Sequence, residues 1–207
     1  NSTFENPSVA ISYDSRIKSK MFAEASAEVL AANGIRVHIY TELMPTPMLS
    51  YAVRAQQCSA GIMVTASHNP AKYNGYKVYG SDGCQMTIDA ANAVLEQINA
   101  LDIFRDVKHV AFDKAMADGV ISYTPQSVID AYYQEVLKQS IHPDLCAKSG
   151  LKIVYTPLNG TGNRFDTFSP PSAFRTLLLF RNRKIRTATS PLVPIRIRRF
   201  VKHWNAV

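Results

Sequence analysis

The chain has no run of about 18 or more apolar residues, so nothing in it is expected to span a membrane. It shows no secretory leader. It opens on Asn1 rather than Met, so a longer natural N-terminus is expected. Cysteine is scarce: Cys58, Cys84 and Cys146 are odd in number and lack metal-ligand spacing. That excludes a disulfide framework and a zinc module, and fits reduced thiols in a cytoplasmic protein. Repeats and low-complexity segments are absent before Asn163. What remains suits a folded core, with 46% apolar and 19% charged residues among 207. Such a length holds one large domain, or one and a half small ones.

The net charge of +7 is unevenly placed. Residues 1–163 carry 13 Lys+Arg against 15 Asp+Glu, a balance of −2. Residues 164–207 carry 10 Lys+Arg against one acid, Asp166, a balance of +9. A basic tail on a mildly acidic body ordinarily suggests nucleic acid or a membrane surface. The tail itself argues otherwise, as shown below.

Along the chain, "SVAISYDSR" predicts a strand that ends in polar residues. "SKMFAEASAEVLAANG" predicts a helix on the spacing of Phe22, Ala25, Val29 and Leu30, capped at Ser19 and stopped by Asn33-Gly34. "IRVHIY" alternates as a strand, and a helix follows near Pro47. "AGIMVTAS" is a continuous apolar run, hence a strand buried on both faces. "YKVYG" and "CQMTI" flank Ser81-Asp82-Gly83 as a hairpin. Two helices are expected next, one capped by Asp89 and one by Thr124, and "LKIVYTP" is again a strand. Alternating strands and helices predict an α/β domain with a largely parallel sheet. Ligands in such sheets bind at the strands' carboxyl ends. Three polar endings fall there: Asp14-Ser15-Arg16, Pro45-Thr46-Pro47, and Thr65 to Pro70.

The third ending, "TASHNPAKYNGYKVY", places Ser67 beside His68. A serine hydroxyl needs activation to attack anything, and no G-x-S-x-G elbow surrounds this one. A loop that handles phosphate fits better. Asn69, Asn74 and Gly75 tolerate the backbone angles of an anion-binding nest. Lys77 and Arg16 can neutralise phosphoryl charge. Taken one at a time, the same residues read as a polar turn capping a strand and as solvated charges.

As a set, the loop resembles the active-serine loop of the α-D-phosphohexomutases, the phosphoglucomutase/phosphomannomutase family. T-A-S-H-N-P followed by Y-N-G-Y-K carries the resemblance, and "YDSR" and "PTP" support it. It covers nearly all of residues 8–163: that family's first domain, then the opening strand of its second, "LKIVYTPLNGTGN". The resemblance implies a three-layer α/β/α domain with a mixed, mostly parallel sheet over residues 1–150, and the start of a second domain at 151–163. It implies that Ser67 carries a phosphoryl group and offers an oxygen to Mg²⁺. His68 and Lys77 match positions at the transfer site, Arg16 matches one that meets the phosphoserine, and Thr65, Asn69, Asn74 and Gly75 support the loop. The implied substrate is a phosphorylated hexose, with glucose 1,6-bisphosphate as activator and intermediate. The Y-N-G-Y-K form leans towards phosphoglucomutases rather than strict phosphomannomutases. Neither nucleic acid nor membrane is an implied partner. The family's D-G-D-G-D-R metal loop, G-E-E-S-G sugar loop and final phosphate loop are not in this sequence. One serine loop cannot build a site whose ligands come from four domains, so this stretch alone is expected to be inactive.

After Asn163 the pattern breaks into a Pro-, Ser- and Arg-rich segment whose one apolar period is "FRTLLLF". Codons chosen for Pro194 to Trp204, read one base earlier, give "PYPNPEIREAL", a typical mutase second-domain sequence. Extended backwards, the shift gives "VTVVPEQENPDGNFTTCPYPNPEIREAL" and, near Asn163, "PVRHILSAIG". A frameshift at about Asn163–Arg164 is therefore expected, with residues 164–207 an unselected, disordered tail. Two other readings compete. A nucleic-acid binder would use the basic tail and lose affinity steeply with salt, but the tail has no recognisable module. A sugar-phosphate binding module would keep the loop and lack the chemistry.

Overall fold

The computed structural model describes residues 4–149, 152–155, 157, 160–162 and 176–179. A five-stranded sheet is ordered β4-β3-β1-β2-β5. Strands β1 (Ser8–Tyr13), β2 (Arg36–Ile39), β3 (Ala60–Val64) and β5 (Ile121–Tyr123) run parallel, and β4 (Tyr76–Gly80) is antiparallel to β3. The β1–β3 register pairs Val9 with Ala60 and Tyr13 with Val64, so both strands end level. All six residues of β1 are buried. That is the burial expected of a strand covered on both faces.

Two apolar clusters cover opposite faces of the sheet. On one, helices α2 (Thr46–Ala55) and α5 (Gln126–Lys138) lay Met48, Leu49, Ala52, Val53, Ile129 and Tyr133 over Ala10, Met63 and Tyr79. On the other, α1 (Ser19–Ala32) and α4 (Phe112–Ala117) lay Ala23, Ala27 and Ala115 over Val9, Ile11, Val37, Ile62 and Ile121. The architecture is a three-layer α/β/α domain with a mixed, mostly parallel sheet. Its chain passes from β1 to β2 by one face and from β2 to β3 by the other. The carboxyl ends of β1 and β3 thus flank a switch point, where such sheets open a crevice.

Several local expectations shift. Helix α1 buries Ser19, Ala23 and Ala27, while Phe22 stays 41% exposed. The small residues let the helix approach the sheet closely. Ser19 is not the cap: Lys18 holds that position with φ 63°, and Ser19 begins the helix. Helix α3 (Ile88–Asn99) is capped by Thr87, whose side chain accepts from the Ala90 N–H, and not by Asp89. It buries none of its residues. Helix α5 starts one residue late, with Pro125 as its cap residue. The hairpin after β4 returns through a single bridge, Tyr79 to Gln85. Helix α4 and strand β5 carried too short a pattern to be read from sequence.

After α6 (Pro143–Lys148) the next strand is β6 (Lys152–Tyr155), inside the expected "LKIVYTP" strand. It pairs in parallel with β7 (Thr176–Leu179), which comes from "FRTLLLF". Those four tail residues form a strand; the rest of the tail lies outside the described residues. Among the described residues, no helix is long and apolar enough to cross a membrane.

Two phenols make the fold sensitive to alkali. Burial, followed by Glu24 and Glu42, pushes Tyr13 from the ordinary 10.0 up to about 12. Burial also pushes Tyr40 up. Between those pH values the folded state holds protons that the unfolded state has released. The stabilisation is complete below pH 10, and it falls as pH rises from there through about 12. The urea midpoint is expected to drop across that window, less steeply in Tyr13→Phe.

Candidate functional site

The loops after β1, β2 and β3 enclose a cavity of about 460 Å³ lined by Asp14, Arg16, Thr46, Thr65, Ser67 and His68 among others. Ser67 and His68 are exposed at its mouth, while Thr65 and Arg16 are buried beneath. Ser67 has φ 55°, the left-handed region that non-glycine residues rarely occupy. Its Oγ lies 3.3 Å from His68 Nδ1.

A network under the loop holds that conformation. The Ser67 N–H donates to Thr65 Oγ1 at 3.0 Å, and the Thr65 hydroxyl donates to Asp14 Oδ2 at 2.6 Å. Asp14 Oδ1 accepts from Ser19 Oγ at 2.8 Å and from the Arg16 N–H at 3.0 Å. Asn74 Nδ2 donates to Ser19 Oγ at 2.9 Å, which ties the far end of the loop to the start of α1.

Arg16 points its guanidinium under the loop. It donates to the carbonyls of Pro70 at 3.0 Å, Tyr73 at 3.1 Å and Asn69 at 2.5 Å, and to that of Ser67. Its Nε lies 3.5 Å from Asp14 Oδ2. In this arrangement the fork is spent on backbone carbonyls, an ordering role that a solvated charge would not need.

Several of the loop's amides are also engaged. Besides Ser67, the Asn69 N–H donates to Ala66 O and the Gly75 N–H to Asn74 Oδ1. Gly75 is needed for close approach: a Cβ there would lie 2.5 Å from the Thr65 carbonyl oxygen. Gly75→Ala is expected to cost about 1–3 kcal/mol in urea unfolding, because the obstacle is backbone paired to residue 75 itself.

The sequence-predicted residues divide. Ser67, His68, Asn69, Thr65 and Arg16 line the cavity. Asn74 and Gly75 hold the loop from below. Lys77, on β4 opposite Met63, lines a separate cavity of about 170 Å³ with Tyr76, Val78 and Met86. Sequence reasoning put Asp14 in the polar ending beside Arg16 but passed over its role as the hub of the network; a carboxylate ending a buried strand two residues before an arginine was the available signal. It also passed over Gly160 and Thr161, which line the larger cavity.

The fold and loop define a class, an α/β/α domain that presents a left-handed serine over a polar crevice at its sheet's switch point. Residues 1–103 match the model for "Phosphoglucomutase/phosphomannomutase, alpha/beta/alpha domain I". A phosphoglucomutase of Staphylococcus haemolyticus is 41% identical over 162 residues, covering 76% of this chain and 28% of that protein. One from Staphylococcus aureus (strain NCTC 8325 / PS 47) is 38% identical over 167 residues, covering 78% and 28%. Among solved structures, a protein of Thermus thermophilus assigned as a phosphomannomutase is 27% identical, with TM-score 0.64 over 85% of this chain and 37% of that one. The parafusin of Paramecium, 17% identical with TM-score 0.63 over 84% and 36%, shares the fold. In its N-terminal part the chain belongs to the phosphoglucomutase/phosphomannomutase family. It spans little more than a quarter of the length of the curated relatives.

Proposed function

We propose that residues 1–150 are the active-serine domain of a cytoplasmic hexose-phosphate mutase of phosphoglucomutase type, with Ser67 as the phosphoryl carrier. The observation that carries this is Ser67 itself, held left-handed and exposed at the mouth of the switch-point cavity with its Oγ beside His68. In the forward step the Ser67 Oγ–P bond breaks and a bond forms from phosphorus to a hydroxyl oxygen of a hexose monophosphate. The sugar hydroxyl loses a proton and Ser67 Oγ gains one, which His68 is close enough to deliver. Return of the other phosphoryl group from the bisphosphate restores phosphoserine. Charge spreads over the transferring group, so positioning and nearby cations govern the rate. Lys77 is the cation that the family resemblance assigns to the transfer, although it lines the separate cavity, and Lys72, nearer in sequence, lies over the Tyr73 ring.

Mg²⁺ would reach a phosphoryl oxygen on Ser67. The described residues do not otherwise suit it: they contain no group of three His, Cys, Asp or Glu able to hold a metal ion. The one carboxylate lining the cavity, Asp14, is already engaged by Thr65, Ser19 and Arg16.

Residues 151–163 begin a second domain, and residues 164–207 are read out of frame. The Staphylococcus haemolyticus relative matches 76% of the chain, about the share that residues 8–163 make up. DNA sequencing across codons 160–207 tests the break: a single uninterrupted frame, with a tail peptide found by mass spectrometry, removes it. For the serine, the test is incubation of the full-length protein encoded by the restored frame with glucose 1,6-bisphosphate, followed by mass spectrometry. Phosphate on Ser67 is expected. A chain left unlabelled, or labelled elsewhere, overturns the assignment.

A further inference from the structure

We propose that Asp14 is a positioning residue for Ser67 and acts on it through the Thr65 hydroxyl. The inference rests on the reading of Ser67 as the phosphoryl carrier, and it adds a residue outside the serine loop to that chemistry. A threonine hydroxyl has one proton and two lone pairs. Asp14 Oδ2, an acceptor only, takes the proton at 2.6 Å. The oxygen of Thr65 is thereby left as an acceptor, and it meets the Ser67 N–H at 3.0 Å. The direction of the relay is fixed by the carboxylate. The N–H of Ser67 is drawn inward while its Oγ stays at the cavity mouth.

This arrangement opposes a real cost. A non-glycine residue at φ 55° loses of the order of 1–2 kcal/mol against its ordinary conformations. Neighbouring contacts must over-determine it for it to persist. The relay supplies one constraint from the amide side. Arg16, donating to the carbonyl of Ser67, supplies another from the following peptide. Asp14 joins the two, since it accepts from Thr65 and pairs with Arg16 at 3.5 Å. Through Ser19 it also reaches Asn74, where the loop returns to β4. A single carboxylate at the end of β1 thus sets both ends of the loop.

The test uses the full chain and four variants: Asp14→Asn, Thr65→Val, Thr65→Ser and the Asp14→Asn/Thr65→Val double. Exchange of the Ser67 amide proton with water is read by NMR, with Met63 in β3 as the control for the fold. Thr65→Val is expected to speed exchange at Ser67 roughly five- to tenfold, the loss of one hydrogen bond. Thr65→Ser restores the wild-type rate. Asp14→Asn speeds exchange at Ser67 when Thr65 is present and adds less than that in the Thr65→Val background, because the larger part of its effect passes through that hydroxyl and the rest through Arg16. Met63 is unchanged throughout.

Unchanged exchange at Ser67 in Asp14→Asn overturns the proposal. So does equal acceleration at Met63, which would make Asp14 a residue of the fold alone, and so do additive effects in the double variant. Labelling by glucose 1,6-bisphosphate, read on the full-length protein encoded by the restored frame, supplies the second readout. In Asp14→Asn the maximal labelling rate falls at least about tenfold, while the half-saturating bisphosphate concentration is unchanged. A rise in that concentration with an unchanged maximal rate counts against positioning. If the wild-type full-length protein takes no label, the phosphoryl-carrier reading fails, and the amide exchange still decides whether Asp14 positions Ser67.

Discussion

Replacing Arg16 with alanine is expected to destabilise the domain by about 3–5 kcal/mol in urea unfolding. The Arg16 side chain is only 7% exposed, and that of its partner Asp14 is 13% exposed. Its guanidinium binds four carbonyls, those of Ser67, Asn69, Pro70 and Tyr73. Alanine removes every one of those bonds and leaves the Asp14 carboxylate buried without its counter-charge. Thr65 and Ser19 still donate to that carboxylate, which sets the expectation at the lower end of the range. Arg16→Lys should recover little, because one ammonium lacks the planar fork that reaches carbonyls on both sides. The Asp14→Asn/Arg16→Ala double should lose less than the sum of its parts, since no orphaned charge remains. A loss within about 0.5 kcal/mol for Arg16→Ala would show the clamp to be an incidental surface contact.

The same residue shows how far the sequence could be read. That Arg16 belongs with the serine loop was legible, because "YDSR" ends a strand whose neighbour "AGIMVTAS" ends at Ser67. What it does there was not legible. A sequence places an arginine at a strand end; it does not say whether five N–H groups face a cavity or the underside of a loop. Asp14 was placed in the same polar ending, but its role was not legible for a related reason, since a hub is defined by partners about 50 residues away, such as Thr65. Gly75 was read as a residue of unusual backbone angle, yet among the loop residues the positive φ belongs to Ser67. The sheet was easier. Continuous apolar runs such as Ile62–Val64 fix buried strands whatever surrounds them. Short elements such as β5, with three residues, carry too little pattern to stand out.

Helix faces were the least legible feature of the fold, and a pair of substitutions measures the error. Leu49→Ala is expected to cost about 2–5 kcal/mol, and Phe22→Ala no more than about 0.5 kcal/mol, both by urea unfolding. Leu49 is fully buried between α2 and the sheet. Its carbons come within 3.4 Å of where a Cβ on Gly61 would stand, so helix and strand are already in close contact. The surrounding Met48, Ala52 and Val53 belong to the same rigid helix, and they cannot all move to refill the lost volume. Phe22 has the larger side chain and the spacing of a core residue, yet it sits 41% exposed beside Ala23, which is fully buried. Hydrophobic spacing alone prefers the phenylalanine; close approach of α1 to the sheet prefers the alanine stripe of Ala23 and Ala27. If Phe22→Ala instead costs as much as Leu49→Ala, α1 must pack on its aromatic face. Asn74, bonded to Ser19 at the start of that helix, would then have to be re-anchored, and the serine loop with it.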